Sequence, residues 1–264
     1  RADFAALEQR ANGRTIVQLI DEPDALLAQD ETQRYRCSAI WRELTETRYC
    51  RFVFAGHRIL RRSLYDARSP FFNFAETIHL GFLASSHARS LLTEPLNRMG
   101  FTLDPEQKIL DRVWNVSAGH PNIVQVIGKQ LLEQLERGSM TIHQENLAKV
   151  LDSPRFQVEY EAAMWGGESA SEDYGVAPLE RLILLLGDPN GFTREQIERM
   201  LRQNRVQVES KPVRDALELL TDFNLLRLEN NRYSSNVRYF RQTLFEHHGR
   251  EYLINFYKAA IKGD

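Results

Sequence analysis

Ile16-Val17-Gln18-Leu19-Ile20-Asp21-Glu22 is a β-branched, almost continuously apolar run that ends in two adjacent carboxylates. Opened by Thr15, it has the character of a parallel strand covered on both faces. Asp21-Glu22-Pro23-Asp24 marks its carboxyl end. Downstream, helical spacing from about residue 32 to 47 leads into a second candidate buried strand, Arg51-Phe52-Val53-Phe54-Ala55, closed by Gly56-His57-Arg58. Strand, helix and strand at this spacing make a βαβ unit, and such units build parallel sheets. A third short strand, Thr77-Ile78-His79-Leu80, is expected after the loop Ser69-Pro70-Phe71-Phe72-Asn73. Upstream, Phe4, Leu7 and Ala11 fall at helical spacing and Asn12-Gly13 supplies a stop, which predicts a short helix over residues 2–11.

Beyond Gly81 the pattern changes. Helices are expected over about residues 85–99, 105–117, 121–136 and 143–151, with no convincing strand among them. Residues 166–175, Gly-Gly-Glu-Ser-Ala-Ser-Glu-Asp-Tyr-Gly, are small, polar and acidic and read as an exposed linker. An apolar helix over residues 178–186 follows. A second helix opens with Thr193 as N-cap and Gln196 three residues on, a capping-box pattern. A third opens at Ser210 as N-cap, with Pro212 in its first turn. Two strands around a tight Asn230-Asn231 turn come next, and three helices followed by a hairpin is the winged-helix order. Helices over about 237–247 and 250–262 finish the chain. The expected organisation is a parallel α/β part over 1–82, an all-α helical lid over 83–152, a helix and linker over 153–175, a winged helix over 176–244 and a C-terminal helix over 245–264.

The 264 residues carry 34 Lys and Arg against 36 Asp and Glu, a formal charge of −2, and 42% are hydrophobic. This is the balance of a soluble chain large enough for two or three compact units. It offers no bulk electrostatic reason to bind nucleic acid or an anionic membrane. Cys37 and Cys50 cannot build a disulfide framework and lack metal-site spacing, so a reducing, cytoplasmic setting is expected. The longest apolar run, Leu182-Ile183-Leu184-Leu185-Leu186, falls far short of the roughly 20 residues of a membrane span. The chain opens Arg1-Ala2-Asp3-Phe4, with neither initiator Met nor apolar leader core, which reads as a fragment boundary.

Open α/β sheets place ligands at the carboxyl ends of their strands, where Asp21 and Glu22 fall. Phosphoryl transfer from a nucleotide needs one carboxylate to hold Mg²⁺ and a second group to orient or deprotonate the attacking water. Asp21 suits the first task and Glu22 the second, although acidic pairs also cap ordinary strand–loop junctions. Arg58, one βαβ unit on, ends its strand at the same edge, where a guanidinium can report a γ-phosphate. Ser117-Ala118-Gly119-His120-Pro121 is a helix break at which Pro121 starts a new helix. Its fixed φ suits a first turn, and its flat face can pack on an adenine ring.

In this order, Ile16 to Glu22, Phe52 to Arg58, Gly119-His120-Pro121 and the winged-helix region resemble the AAA+-related STAND class of signalling ATPases, bacterial members especially, over about residues 1–245. The resemblance implies a partial P-loop NTPase fold that works as a molecular switch on ATP or ADP with Mg²⁺. It makes Asp21 and Glu22 the Walker B pair, with Asp21 on the metal and Glu22 catalytic. Arg58 becomes the sensor, and Gly119, His120 and Pro121 the Gly-X-Pro motif of the lid, with Pro121 against the base. In the intact protein the nucleotide is then expected between Asp21, Glu22 and Arg58 on one side and Pro121 on the other. Two departures matter. No Gly-x-x-x-x-Gly-Lys-Ser/Thr occurs in the 264 residues. The loop is expected upstream of Arg1, ATP hydrolysis only where it is supplied, and weak or no nucleotide binding by this chain alone. Relatives also often carry a His just past the wing, where this chain reads Tyr233-Ser234-Ser235-Asn236-Val237; His247 and His248 come too late and read as a solvated helix end.

From Leu179 to Leu244 there are 11 Lys and Arg against 9 Asp and Glu, but the third helix, from Lys211 to Phe223, sets Lys211 and Arg214 against Asp215, Glu218 and Asp222. Phosphate contacts supply most DNA affinity, so an acidic reading helix favours docking to a protein partner over DNA. The alternative function is a non-enzymatic winged-helix adaptor, or a DNA-binding regulator, on a vestigial ATPase scaffold.

Overall fold

In the computed structural model, which describes residues 10–136, 138–166 and 176–262, β1 (Val17–Asp21) and β2 (Arg51–Ala55) pair in parallel, with Val17 opposite Arg51 and Asp21 opposite Ala55. Most of the helix expected over 2–11 and of the linker expected over 166–175 lies outside the described residues. The chain divides into two compact units, the first ending at Ile78 and the second beginning at His79.

In the first unit α1 (Asp24–Thr32) and α2 (Arg36–Glu46) make the crossover, and α3 (Arg58–Tyr65) follows β2. The single helix expected over 32–47 is therefore two helix segments, because Arg34 and Tyr35 adopt φ of 61° and 60° and turn the chain. Asp30, 2% exposed, holds that turn. It accepts from the Cys37 amide at 2.7 Å, the Ser38 amide at 2.9 Å and the Ser38 hydroxyl at 2.6 Å. Burial by itself raises the Asp30 pKa, but the bonds from Ser38 and Cys37 outweigh it and hold the carboxyl below its ordinary value.

A second buried acid joins the two strand ends. Asp24, the first residue of α1, is 1% exposed and accepts from the amides of His57 (2.8 Å), Ile59 (2.8 Å) and Leu60 (3.2 Å). Those donors are unpaired by the helix itself at the start of α3, and a carboxylate there also meets the positive end of the helix dipole. Gly56 leaves room for it, since a Cβ at that position would lie 2.5 Å from Asp24 Oδ2.

One face of the sheet is covered. Phe52 and Phe54 lie 6.3 and 5.2 Å from the Trp41 ring of α2, and Phe71 stacks on Trp41 at 6.0 Å. The other face is open: Val17, Leu19 and Val53 are 53%, 76% and 52% exposed, so the strands are not covered on both sides as their composition predicts. Composition reports what a strand tolerates as neighbours, and among the described residues one helical layer packs on this sheet. Thr77-Ile78-His79-Leu80 is likewise not a strand, and Ile78 and Leu80 are 82% and 88% exposed. A strand needs an edge that completes its hydrogen bonds, and among the described residues none pairs with this run.

The second unit contains α4 (Ser85–Arg98), β3 (Thr102–Asp104), α5 (Glu106–Ser117), α6 (Pro121–Glu133), β4 (Thr141–His143), α7 (Gln144–Leu151) and α8 (Pro154–Trp165). The parallel β3–β4 pair corrects the all-helical expectation; three-residue strands are too short to show a period of two. Next come α9 (Pro178–Leu186), α10 (Arg194–Gln203), α11 (Ser210–Asp222), the antiparallel strands β5 (Leu226–Glu229) and β6 (Arg232–Ser235), α12 (Arg238–His248) and α13 (Arg250–Lys262). Asn230 and Asn231 turn the hairpin with φ of 49° and 60°, and Phe192 bridges Tyr233 on β6. Thr193 and Gln196 exchange bonds of 3.3 and 2.7 Å as a capping box. Ser210 is not the N-cap of α11; Glu209 takes that place without a side-chain bond. A continuous apolar core, including Val113, Ile127, Phe156, Leu182, Leu217 and Phe240, runs through both the helical and the hairpin-bearing parts of this unit. Among the described residues the model is mostly helical, and no helix is long and apolar enough to cross a membrane.

Replacing Asp24 by Ala strips three buried amides of their acceptor, and the first unit is expected to lose about 3 kcal/mol, by the cost of unsatisfied buried groups. Replacing the exposed Glu22 by Ala is expected to change stability by less than about 0.5 kcal/mol. Urea unfolding of the two variants, with hydrogen exchange at Ile59 and Leu60, checks the contrast.

Candidate functional site

The carboxyl edge of β1 and β2 brings three of the expected residues onto one end of the sheet. Asp21 closes β1 opposite Ala55. The Glu22 amide donates to the Ala55 carbonyl at 2.8 Å and to Asp21 Oδ1 at 3.1 Å. Glu22 has φ of 50°, which turns the chain sharply out of the strand. Both acids are exposed. Arg58 does not end its strand. It is the half-buried first residue of α3, directly after the Gly56-His57 turn that Asp24 anchors.

This edge offers a cation one strand-end carboxylate with an oxygen not engaged by the Glu22 amide. Among the described residues no group of three or more His, Cys, Asp or Glu could hold a metal ion. One carboxylate alone does not make a metal site, and even Mg²⁺, which uses one or two carboxylates, needs waters and ligand phosphates besides. The edge does not supply a phosphate cradle. The start of α3, which would otherwise attract an anion, is filled by Asp24.

Residues 117–121 lie in the second unit. Tyr160 donates to the Val116 carbonyl at 2.7 Å and fixes the end of α5, and the residue after it, Ser117, is fully buried. Ala118 and Gly119 then reverse the chain with φ of 50° and 84°. The Leu83 amide donates to the Gly119 carbonyl at 2.9 Å. A Cβ on Gly119 would sit 2.3 Å from the Leu83 carbonyl oxygen and 2.8 Å from the Trp114 ring, so both the turn and the close approach require glycine. His120 is half-buried with its ring 5.0 Å from that of Phe82, and its Nδ1 is buried without a hydrogen-bond partner. Burial holds its pKa below the ordinary histidine value. Pro121 is exposed at the first position of α6, where its ring can meet a flat ligand.

Beside this junction lies a concave site of about 560 Å³, lined among others by Phe82, Trp114, Ala118, Asn236, Arg238 and Tyr239. Sequence reasoning missed this site, and also the buried acids Asp24 and Asp30. An acid at a helix start reads as a cap for its own helix, and nothing local tells that its acceptors face a helix more than 30 residues away. The aromatic loop residues behave as ordinary core, with Phe71 2% exposed. His248 bonds Glu161 at 2.8 Å on the surface.

No protein-family model matches the chain, and no curated protein matches it.

Gly119→Ala is expected to cost the second unit at least about 2 kcal/mol, from left-handed backbone plus the clash with Leu83. Trp114 fluorescence against urea reads it. For His120 the sign follows from linkage. Above the unfolded pKa, near 6.5, both states hold a neutral ring; as pH falls below it, the unfolded chain takes up a proton that the folded ring resists, so stability declines. The urea midpoint is expected to drop between pH 7.5 and 5.5, and to drop less in His120→Asn.

Proposed function

We propose that the chain is the magnesium- and base-contacting part of a nucleotide-dependent molecular switch of the STAND and AAA+ type, acting on ATP or ADP. Its phosphate loop is not among these 264 residues. The observation that carries the reading is Asp21, an exposed carboxylate at the carboxyl end of a parallel strand with one oxygen unclaimed by the neighbouring amide. Such a group suits a cation that shares its shell with phosphates and water.

In this reading Asp21 holds the ion and Glu22 orients or deprotonates the attacking water. Arg58, at the head of α3, neutralises the terminal phosphate. Bound nucleotide supplies the phosphoryl group and the charge these residues address. In the second unit Pro121 packs on the base, with Gly119 and His120 holding its turn rigid. A ligand shifts a protein between states only by contacting them unequally, so the working event is exchange or hydrolysis that changes those contacts.

The winged-helix reading of the second unit is supported by the order of α9, the Phe192 bridge, α10, α11 and the β5–β6 hairpin. The excess of acids on α11 favours a protein partner over DNA. Tyr252 and Phe256, 61% and 53% exposed and stacked at 6.1 Å on α13, favour the second reading, an adaptor that docks a protein through its C-terminal helix.

Calorimetric titration of the full chain with ATP is expected to show weak binding, about millimolar or roughly −4 kcal/mol. Mg²⁺ is expected to strengthen it, and Asp21→Asn to return it to the magnesium-free value. Tight binding by this chain alone, or binding indifferent to Mg²⁺ or to Asp21→Asn, overturns the proposal.

A further inference from the structure

Arg238 and Arg241 stand one turn apart on α12, hence on one face of the helix, and both line a concave site of about 420 Å³ together with Pro189, Gln242, Phe245 and Glu246. Arg238 and Gln242 also line the neighbouring site of about 560 Å³. Arg238 is exposed and makes no hydrogen bond or ion pair among the described residues.

Arg241 is held more firmly and satisfied less well. Its Nη2 donates to the Leu185 carbonyl at 2.9 Å and its guanidinium lies 5.2 Å over the Phe245 ring. Its Nε is buried with no acceptor. Arg250 sits 5.9 Å from the same ring. Burial and the Arg250 charge both push the Arg241 pKa down, and Asp188 opposes them. Of the nearby carboxylates, Glu246 accepts from the Gln242 amide at 2.8 Å and Asp188 from the Asn190 amide at 2.9 Å. Two guanidinium groups thus line a cavity with an apolar wall, and its one lining carboxylate, Glu246, is already engaged by Gln242.

We propose that this cavity binds a small molecule carrying a phosphoryl group, with Arg238 and Arg241 as its charged contacts and Phe245 and Pro189 against its apolar part. Two guanidinium groups match a dianion in charge, and the exposed Arg238 can present parallel N–H groups to phosphoryl oxygens. The site is independent of the magnesium edge in the first unit, and its ligand needs no metal.

The test is titration of the full chain, without Mg²⁺, with phenyl phosphate and with inorganic phosphate, followed by calorimetry at low and high salt. Both probes are expected to bind at one site, phenyl phosphate several-fold tighter, and both weaker at high salt. Arg238→Ala, which removes no hydrogen bond or ion pair among the described residues, is expected to leave the melting temperature unchanged and weaken binding about tenfold. Arg241→Lys keeps the charge, loses the fork and is expected to weaken binding similarly; should it unfold, Arg238→Ala decides alone. Asp21→Asn is expected to have no effect, which separates this site from the nucleotide reading. Absence of saturable binding at millimolar probe, or equal affinity in Arg238→Ala, overturns the proposal. Phenyl phosphate no tighter than phosphate removes the apolar wall from it.

Discussion

The carboxylate of Asp24 is the constraint on which the first unit depends. A buried anion is costly unless it is hydrogen-bonded, and here three amides at the start of α3 receive it. Since Asp24 itself begins α1, the bond ties the turn after β1 to the turn after β2. That is what keeps Asp21, Glu22 and Arg58 at one end of a two-stranded sheet too small to hold its own edges in place. The same bond has a chemical consequence. The helix start that would attract an anion is already neutralised from within.

The second unit uses a backbone contact where the first uses charge. Gly119 lets residues 82–83 lie directly on the α5–α6 turn, and the Leu83 amide closes the contact. Phe82 consequently reaches both the His120 ring and the larger concave site. Rigid placement of an exposed proline beside a half-buried histidine therefore comes from close packing, and the continuous core beneath it leaves little freedom for the turn to move alone.

The two units carry chemistry of opposite sign. The sheet edge presents the exposed carboxylates of Asp21 and Glu22, whereas the face of α12 presents the guanidinium groups of Arg238 and Arg241. Neither is explained by stability. Exposed like charges and an orphaned guanidinium N–H work against folding.

Local chemistry made several elements legible in the amino-acid order alone. The apolar runs at 16–20 and 51–55 mark the parallel strands, Asn230-Asn231 the hairpin, Thr193 with Gln196 the start of α10, and Pro121 the start of α6. Each depends on backbone preference or on partners within four residues, except that the strands also needed each other. What lay beyond reach depends on distance. The open face of Val17, Leu19 and Val53, the failure of Thr77-Ile78-His79-Leu80 to pair, and the short β3–β4 ladder follow from which neighbours are present. Asp24 and Asp30 look like ordinary surface acids until the fold closes over them. The residues thus determined which segments become helix or strand and where acids cluster, while only the tertiary structure decided which of those acids are buried as caps and which face solvent, because burial and hydrogen-bond partners are supplied by chain segments far away in sequence.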